Sequence, residues 1–210
     1  LGFEKLVYGG LTKVFTGIVV APIGGMIFGI AVTGLIIFLF ARRKPAIVNK
    51  TFGRLQIISS AWFALTHGAN DGQKTMGIIV LILFAADLIP ELEMPLWVIF
   101  AAATAMGLGT FFGGYKVIKT LGVRITRLKP YQGFAAETGG GLMLAIFATL
   151  GIPASTTHAI TGTIMGAGSA RRIRAVRWKV SRQIIFSWVI TIPGAAGLGA
   201  VCTYIIHLFV

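Results

Sequence analysis

His67-Gly68-Ala69-Asn70-Asp71-Gly72-Gln73-Lys74 stands in the middle of an otherwise apolar run from Leu55 to about Ile89. A single helical crossing of a bilayer needs roughly 20 apolar residues, and this run is about fifteen longer. The octapeptide itself holds two glycines, an amide, a carboxylate and an ammonium group, which is poor helix-forming sequence. An ionisable group at membrane depth costs at least about 2.5 kcal/mol, so by default it faces a polar pathway. A membrane helix broken at this point accounts for both the excess length and the composition. Such a break frees backbone N–H and C=O groups that hold an anion and a cation respectively.

The rest of the chain supports the bilayer reading. Of 210 residues, 56% are apolar and only 12% charged, and the mean hydropathy is +0.86, outside the usual range of soluble domains. Glycine occurs 28 times, a level that fits closely packed or interrupted membrane helices. The single cysteine, Cys202, excludes a disulfide framework and a cysteine metal site. The chain starts at Leu1 without a secretory-signal pattern and reads as an internal fragment or processed half.

The net charge of +13 does not indicate nucleic acid, because most of the 19 basic residues fall in three short blocks free of acids. These are Arg42 to Arg54, Lys116 to Lys129 and Arg171 to Arg182. Basic blocks flanking apolar spans belong on the cytoplasmic side, with anionic headgroups of the lipid bilayer as secondary partners. The expected location is a multi-pass protein of the cell inner (plasma) membrane with these loops cytoplasmic.

On that basis residues 14–40 read as one span running inward, with a kink or break at Pro22 and Gly24-Gly25. Residues 55–89 run outward to an acidic loop at Asp87, Glu91 and Glu93. Residues 95–115 return, with small-residue packing expected at Gly107, Gly109, Gly113 and Gly114. Tyr131 to Ala170 begins and ends inside, so it is either two full spans or a re-entrant hairpin turning at Gly151-Ile152-Pro153-Ala154-Ser155. Residues 183–206 supply the last crossing. The chain divides into residues 1–54, a first span with its basic loop, and residues 55–210, the unit with the polar motifs.

Six acids are present, and only Asp71 and Glu137 are embedded in apolar sequence. The bland alternative for Asp71 is a structural partner for Lys74, three residues on. Pro153-Ala154-Ser155-Thr156-Thr157-His158 places three successive hydroxyls at the start of a segment of small residues, where donors at a helix N-terminus meet an oxyanion. A hydroxyl-rich cap with a buried histidine explains the same pattern. His67 and His158 lie ninety-one positions apart and read as structural histidines; no metal site is expected.

Three motifs in order, His67 to Gly77, Gly133-Phe134-Ala135-Ala136-Glu137 and Gly151 to His158, closely resemble the second half of bacterial PiT-family inorganic phosphate transporters. The resemblance covers roughly residues 50–205. It implies an all-α membrane protein, one half of an inverted-repeat transporter with broken helices and a re-entrant helical hairpin, and a tendency to form homodimers. It further implies that inorganic phosphate binds with a co-transported cation, Na+ or H+, between this repeat and a missing N-terminal repeat, with no other cofactor. Carried over by position, Asn70 and Asp71 belong to the substrate and cation site. Ser155, Thr156 and Thr157 donate to phosphate, and Glu137 with Asp71 couples the cation.

The resemblance departs at Lys74, where many members carry Asn. Amide oxygens suit sodium and an ammonium group does not. Lys74 is therefore expected to supply a fixed positive charge beside phosphate or Asp71, with coupling to protons or to a metal–phosphate complex.

Competing functions are a sulfate transporter of the same fold, a non-transporting membrane subunit, and an intramembrane hydrolase built on Ser155, His158 and Asp71. The hydrolase needs a base and an orienting acid within hydrogen-bond reach of the nucleophile, and it leaves Thr156 and Thr157 unexplained. The chain is read as a carrier and not as an enzyme.

Overall fold

The computed structural model describes residues 8–209, and among them every regular element is helical. The helices are α1 (Tyr8–Leu39), α2 (Pro45–Ala85), α3 (Leu96–Lys119), α4 (Pro130–Thr149), α5 (Thr156–Ser169) and α6 (Trp178–Phe209). A π-helical turn, Thr120–Ile125, continues α3, and a short 3-10 turn, Ile173–Ala175, precedes α6. Among the described residues three stretches are long and apolar enough to cross a membrane: Tyr8–Leu39, Leu96–Ile125 and Trp178–Ile206. The chain forms two compact units, one through Val176 with α1 to α5 and one from Arg177 with α6. Arg54 and Leu55, between which the sequence reading divides the chain, lie inside α2.

The hairpin α4–α5 is the centre of the first unit. Most of α4 and twelve of the fourteen residues of α5 are buried. At about 1.5 Å per residue α5 rises only about 21 Å, short of the roughly 30 Å hydrocarbon core. This length favours the re-entrant reading over two full spans. The turn is set by Gly151, whose φ of +60° suits a residue without a Cβ. Gly151 N–H donates to the Ala148 carbonyl (3.2 Å) and Ile152 N–H to that of Phe147 (3.0 Å), a Schellman closure of α4. Ser155 then caps α5, its hydroxyl accepting from His158 N–H at 3.4 Å. At the other end Gln132 clamps the base, accepting from Lys129 N–H (3.0 Å) and donating to the Ala167 carbonyl (2.9 Å).

α1 lies along α5 through a stripe of small residues four apart: Gly17, Ala21, Gly25, Gly29 and Thr33 are all buried. A Cβ at Gly17, Gly25 or Gly29 would run into the carbonyl of Pro153, Ala159 or Thr163, and one at Gly162 or Gly166 into that of Pro22 or Met26. The matched positions rise together along both helices, so α1 and α5 run parallel with their backbones in contact. Gly133, Gly140 and Gly141 admit Gln56, Phe63 and Trp62 of α2 in the same way, so α2 runs parallel to α4.

Three sequence expectations are corrected here. α2 is one continuous helix of 41 residues, with no break across His67 to Lys74. Asn70 donates to the Thr66 carbonyl at 2.9 Å, so its amide bonds along the helix instead of interrupting it. α1 likewise continues through Pro22. Proline has no N–H, which leaves the carbonyl of Ile18, four residues earlier, without its helical donor. The buried His158 hydrogen-bonds the Ile18 backbone and supplies the replacement. Finally, Gly107, Gly109 and Gly113 of α3 face open space among the described residues. The close small-residue packing expected there is found along α1 instead.

Candidate functional site

Because α2 does not break, its polar side chains keep one helical register. Gln56, Ser60, His67, Asp71 and Lys74 recur at helical spacing along the face turned toward the hairpin, with Ser59 beside them. This stripe builds two stations, one for each carboxylate embedded in apolar sequence.

At the first, Glu137 of α4 reaches α2. Ser59 Oγ donates to Glu137 Oε2 at 2.6 Å, Ser60 Oγ to Oε1 at 2.9 Å and Gln56 Nε2 to Oε1 at 3.3 Å. All three donors are neutral, so the negative charge is solvated but not cancelled. Sequence reading missed Gln56, Ser59 and Ser60. Their three- and four-residue spacing, continuous with His67 and Asp71, is the signal that an unbroken helix would have exposed.

At the second station Asp71 is the hub. Oδ2 takes His67 Nε2 at 3.0 Å and the Thr156 hydroxyl at 2.8 Å, while Oδ1 takes Lys74 Nζ at 3.0 Å. Lys74 also donates to the Ala154 carbonyl at the hairpin tip, at 2.6 Å. Asp71 and Lys74 therefore each link α2 to the start of α5.

The three predicted hydroxyls separate into different tasks. Ser155 is the helix cap, Thr156 is committed to Asp71, and Thr157 is exposed toward open space. Asn70 lies on the same turn as Asp71 with its amide turned back along α2. Glu137 stands apart from the Asp71 cluster, toward the Gln56 end of the stripe.

Two cavities meet here. The larger, about 1060 Å³, runs from Lys119 and Lys129 past Glu137 to His67, Thr156 and Thr157. The smaller, about 350 Å³, is lined by Asp71, Lys74, Val14 and Ile18 together with Pro153 to Thr157. Thr156 and Thr157 line both, so the contact between Asp71 and the hairpin tip is the partition between them. The smaller cavity presents an ammonium, hydroxyls and the N-terminus of α5, donors suited to a small tetrahedral anion, together with the Asp71 carboxylate, which calls for a proton or cation beside such an anion. Among the described residues no group of three His, Cys, Asp or Glu side chains is arranged to hold a metal ion.

A helical membrane architecture organised around a hairpin, with charged groups on the helix that faces it, is a transporter architecture. Residues 1–199 match the model of the phosphate transporter family, and the chain belongs to that family. A Rhizobium meliloti protein described as a "probable low-affinity inorganic phosphate transporter" is 45% identical over 204 residues, covering 97% of this chain and 61% of the relative. A Bacillus subtilis protein of the same description is 38% identical over 208 residues, covering 99% of this chain and 62% of the relative. The chain thus spans about three fifths of the length of these relatives. Among solved structures, "The sodium-dependent phosphate transporter" matches with a TM-score of 0.71 at 23% identity, over 87% of this chain and 63% of the other, which shows the shared fold.

Proposed function

We propose that this chain is one repeat of a secondary carrier that moves inorganic phosphate across the plasma membrane together with a cation, its basic loops cytoplasmic. The observation that carries the reading is the partition itself: a carboxylate and an ammonium on α2 meeting a hydroxyl-rich helix start between two cavities. Phosphate at neutral pH is a mixture of mono- and dianion, so a carrier must offset one or two negative charges without holding them too tightly for release. A co-bound cation does this, because it leaves with the substrate. Asp71 and Glu137 are the cation or proton positions in this reading. Lys74, Ser155, Thr157 and the backbone N–H groups opening α5 are the anion donors, with Thr156 holding Asp71 beside them and Asn70 on the same turn of α2.

The relatives' greater length supports a second repeat outside this chain as the other wall of the site. In that arrangement the two repeats rock against each other about the Asp71 partition, and two such proteins form a homodimer. Protonated phosphate carries a donor that sulfate lacks. An acceptor such as Asp71 therefore discriminates between the two anions.

The test is uptake of radiolabelled phosphate into proteoliposomes holding the full-length protein, under imposed sodium and proton gradients, with excess sulfate as competitor. Gradient-driven uptake that sulfate does not reduce and Asp71→Asn abolishes is the expected result. Uptake that sulfate competes away assigns the site to sulfate, and no uptake under any gradient leaves the reading of a non-transporting subunit.

A further inference from the structure

Lys74 is the remaining charge of the partition, and its position asks for an explanation beyond pairing with Asp71. A salt bridge within one turn of α2 needs only the 3.0 Å contact to Asp71 Oδ1. The ammonium instead lies between that oxygen and the Ala154 carbonyl on another element, 2.6 Å away. A carboxylate oxygen and a backbone carbonyl on two sides of a gap are the hard oxygen donors that an alkali cation takes. Beside them Thr156 holds the second carboxylate oxygen at 2.8 Å, which fixes the donor set in place.

We infer that Lys74 is a tethered cation: its ammonium fills an alkali-ion position between α2 and the hairpin tip, so no mobile sodium binds at that place in this repeat. The assignment rests on the carrier reading for its consequence but not for its geometry. A mobile ion at a partition leaves with the substrate and must be replaced at every turnover. A tethered one stays, so it lends its charge to the anion without contributing to the driving force. Coupling in this repeat then falls to a group whose charge has no built-in partner, and Glu137, held by neutral donors alone, is that group. Lys74 is on this account a determinant of ion specificity, and Arg at this position keeps the charge but not the compact single-point geometry.

The experiment is equilibrium binding of radiolabelled sodium to the purified full-length protein, comparing wild type with Lys74→Asn, Lys74→Arg and the double variant Asp71→Asn/Lys74→Asn. Lys74→Asn is expected to bind one more saturable sodium ion per chain than wild type. Lys74→Arg and the double variant gain none. Equal sodium stoichiometry in wild type and Lys74→Asn overturns the assignment. If Lys74→Asn does not fold, Lys74→Ala offers a second route through n-propylammonium. That ion is expected to raise the melting temperature of Lys74→Ala but not of wild type, and equal responses overturn the assignment. Because these readouts are binding and stability, an extra sodium ion in a protein that moves no phosphate sustains the Lys74 assignment while sinking the carrier reading.

Discussion

The two carboxylate stations share one helix face and differ in what answers the charge. Asp71 is met by an imidazole, an ammonium and a hydroxyl, and Glu137 by two hydroxyls and an amide. Donors at both stations meet an ionised acceptor, but only Asp71 also has a counter-charge, the Lys74 ammonium at 3.0 Å, so its charge is compensated while that of Glu137 is not. The Glu137 station is geometrically ready and electrostatically open. In the proposed carrier this divides the labour: the Asp71 station holds the partition together, and the Glu137 station, where α4 meets the same face of α2, is left to exchange an ion or a proton.

The largest expected effect is at Asp71. Asp71→Asn removes the charge from three charge-assisted contacts, those of His67, Thr156 and Lys74, each worth about 1.5–3 kcal/mol where buried and less where the partner is exposed, as Lys74 is. Phosphate uptake should fall at least about tenfold, since about 1.4 kcal/mol corresponds to a factor of ten. It should stay low at every cation concentration, because the loss lies in the partition. Uptake that persists in Asp71→Asn but no longer responds to the coupling gradient would break the comparison by making Asp71 the exchangeable station.

Glu137→Gln keeps the size and most of the hydrogen bonding but removes the open charge. Uptake is expected to drop about tenfold, with the melting temperature moving by less than about 3 °C, a shift equivalent to roughly 1 kcal/mol in a chain of this size. The remaining uptake should lose its dependence on the coupling gradient. Uptake still driven by the same gradient would remove Glu137 from coupling.

Thr156→Val deletes the hydroxyl that joins Asp71 to α5 while conserving shape. A hydroxyl bond to an ionised carboxylate is worth about 1.5 kcal/mol at the low end, so a loss of uptake approaching tenfold is expected. An unchanged rate would mean that the Lys74 tether alone maintains the partition. The smallest effects fall at the serines of the Glu137 station. Ser59 is buried and Ser60 exposed, so Ser59→Ala should reduce uptake a few-fold, and Ser60→Ala should cost less than about 0.5 kcal/mol in stability. The reverse order would mean that the exposed serine is covered in the complete carrier.

Much of the fold was legible because hydropathy and charge placement act locally. The basic blocks located the helix ends, and Gly151 with Pro153 located the hairpin turn. The misread elements depend on packing that composition does not reveal. Two glycines and an asparagine looked like a break at residues 68–72. Packing of α2 along α4, with Asn70 bonded along its own helix, outweighs the helix propensity lost, about 1 kcal/mol per glycine. Pro22 does not break α1, because a histidine more than a hundred residues away takes up the carbonyl it orphans. The glycines of α3 and α1 are alike in sequence, and only the course of the chain decides which set meets a neighbour. At the site, Asp71, Lys74 and Thr156 could be chosen from the motifs alone. Gln56 and Ser59 could not, because their role depends on which face of α2 meets Glu137.

The glycine seam between α1 and α5 has a mechanical consequence. Where two backbones touch over four turns, neither helix slides or tilts without the other, and the pair behaves as a single beam. Val14 and Ile18 at one end of that beam and Pro153 to Thr157 beside them are then one wall of the smaller cavity. On the side that faces α2 the cavity is bounded by Asp71 and Lys74, and there one lysine side chain spans from α2 to the hairpin tip.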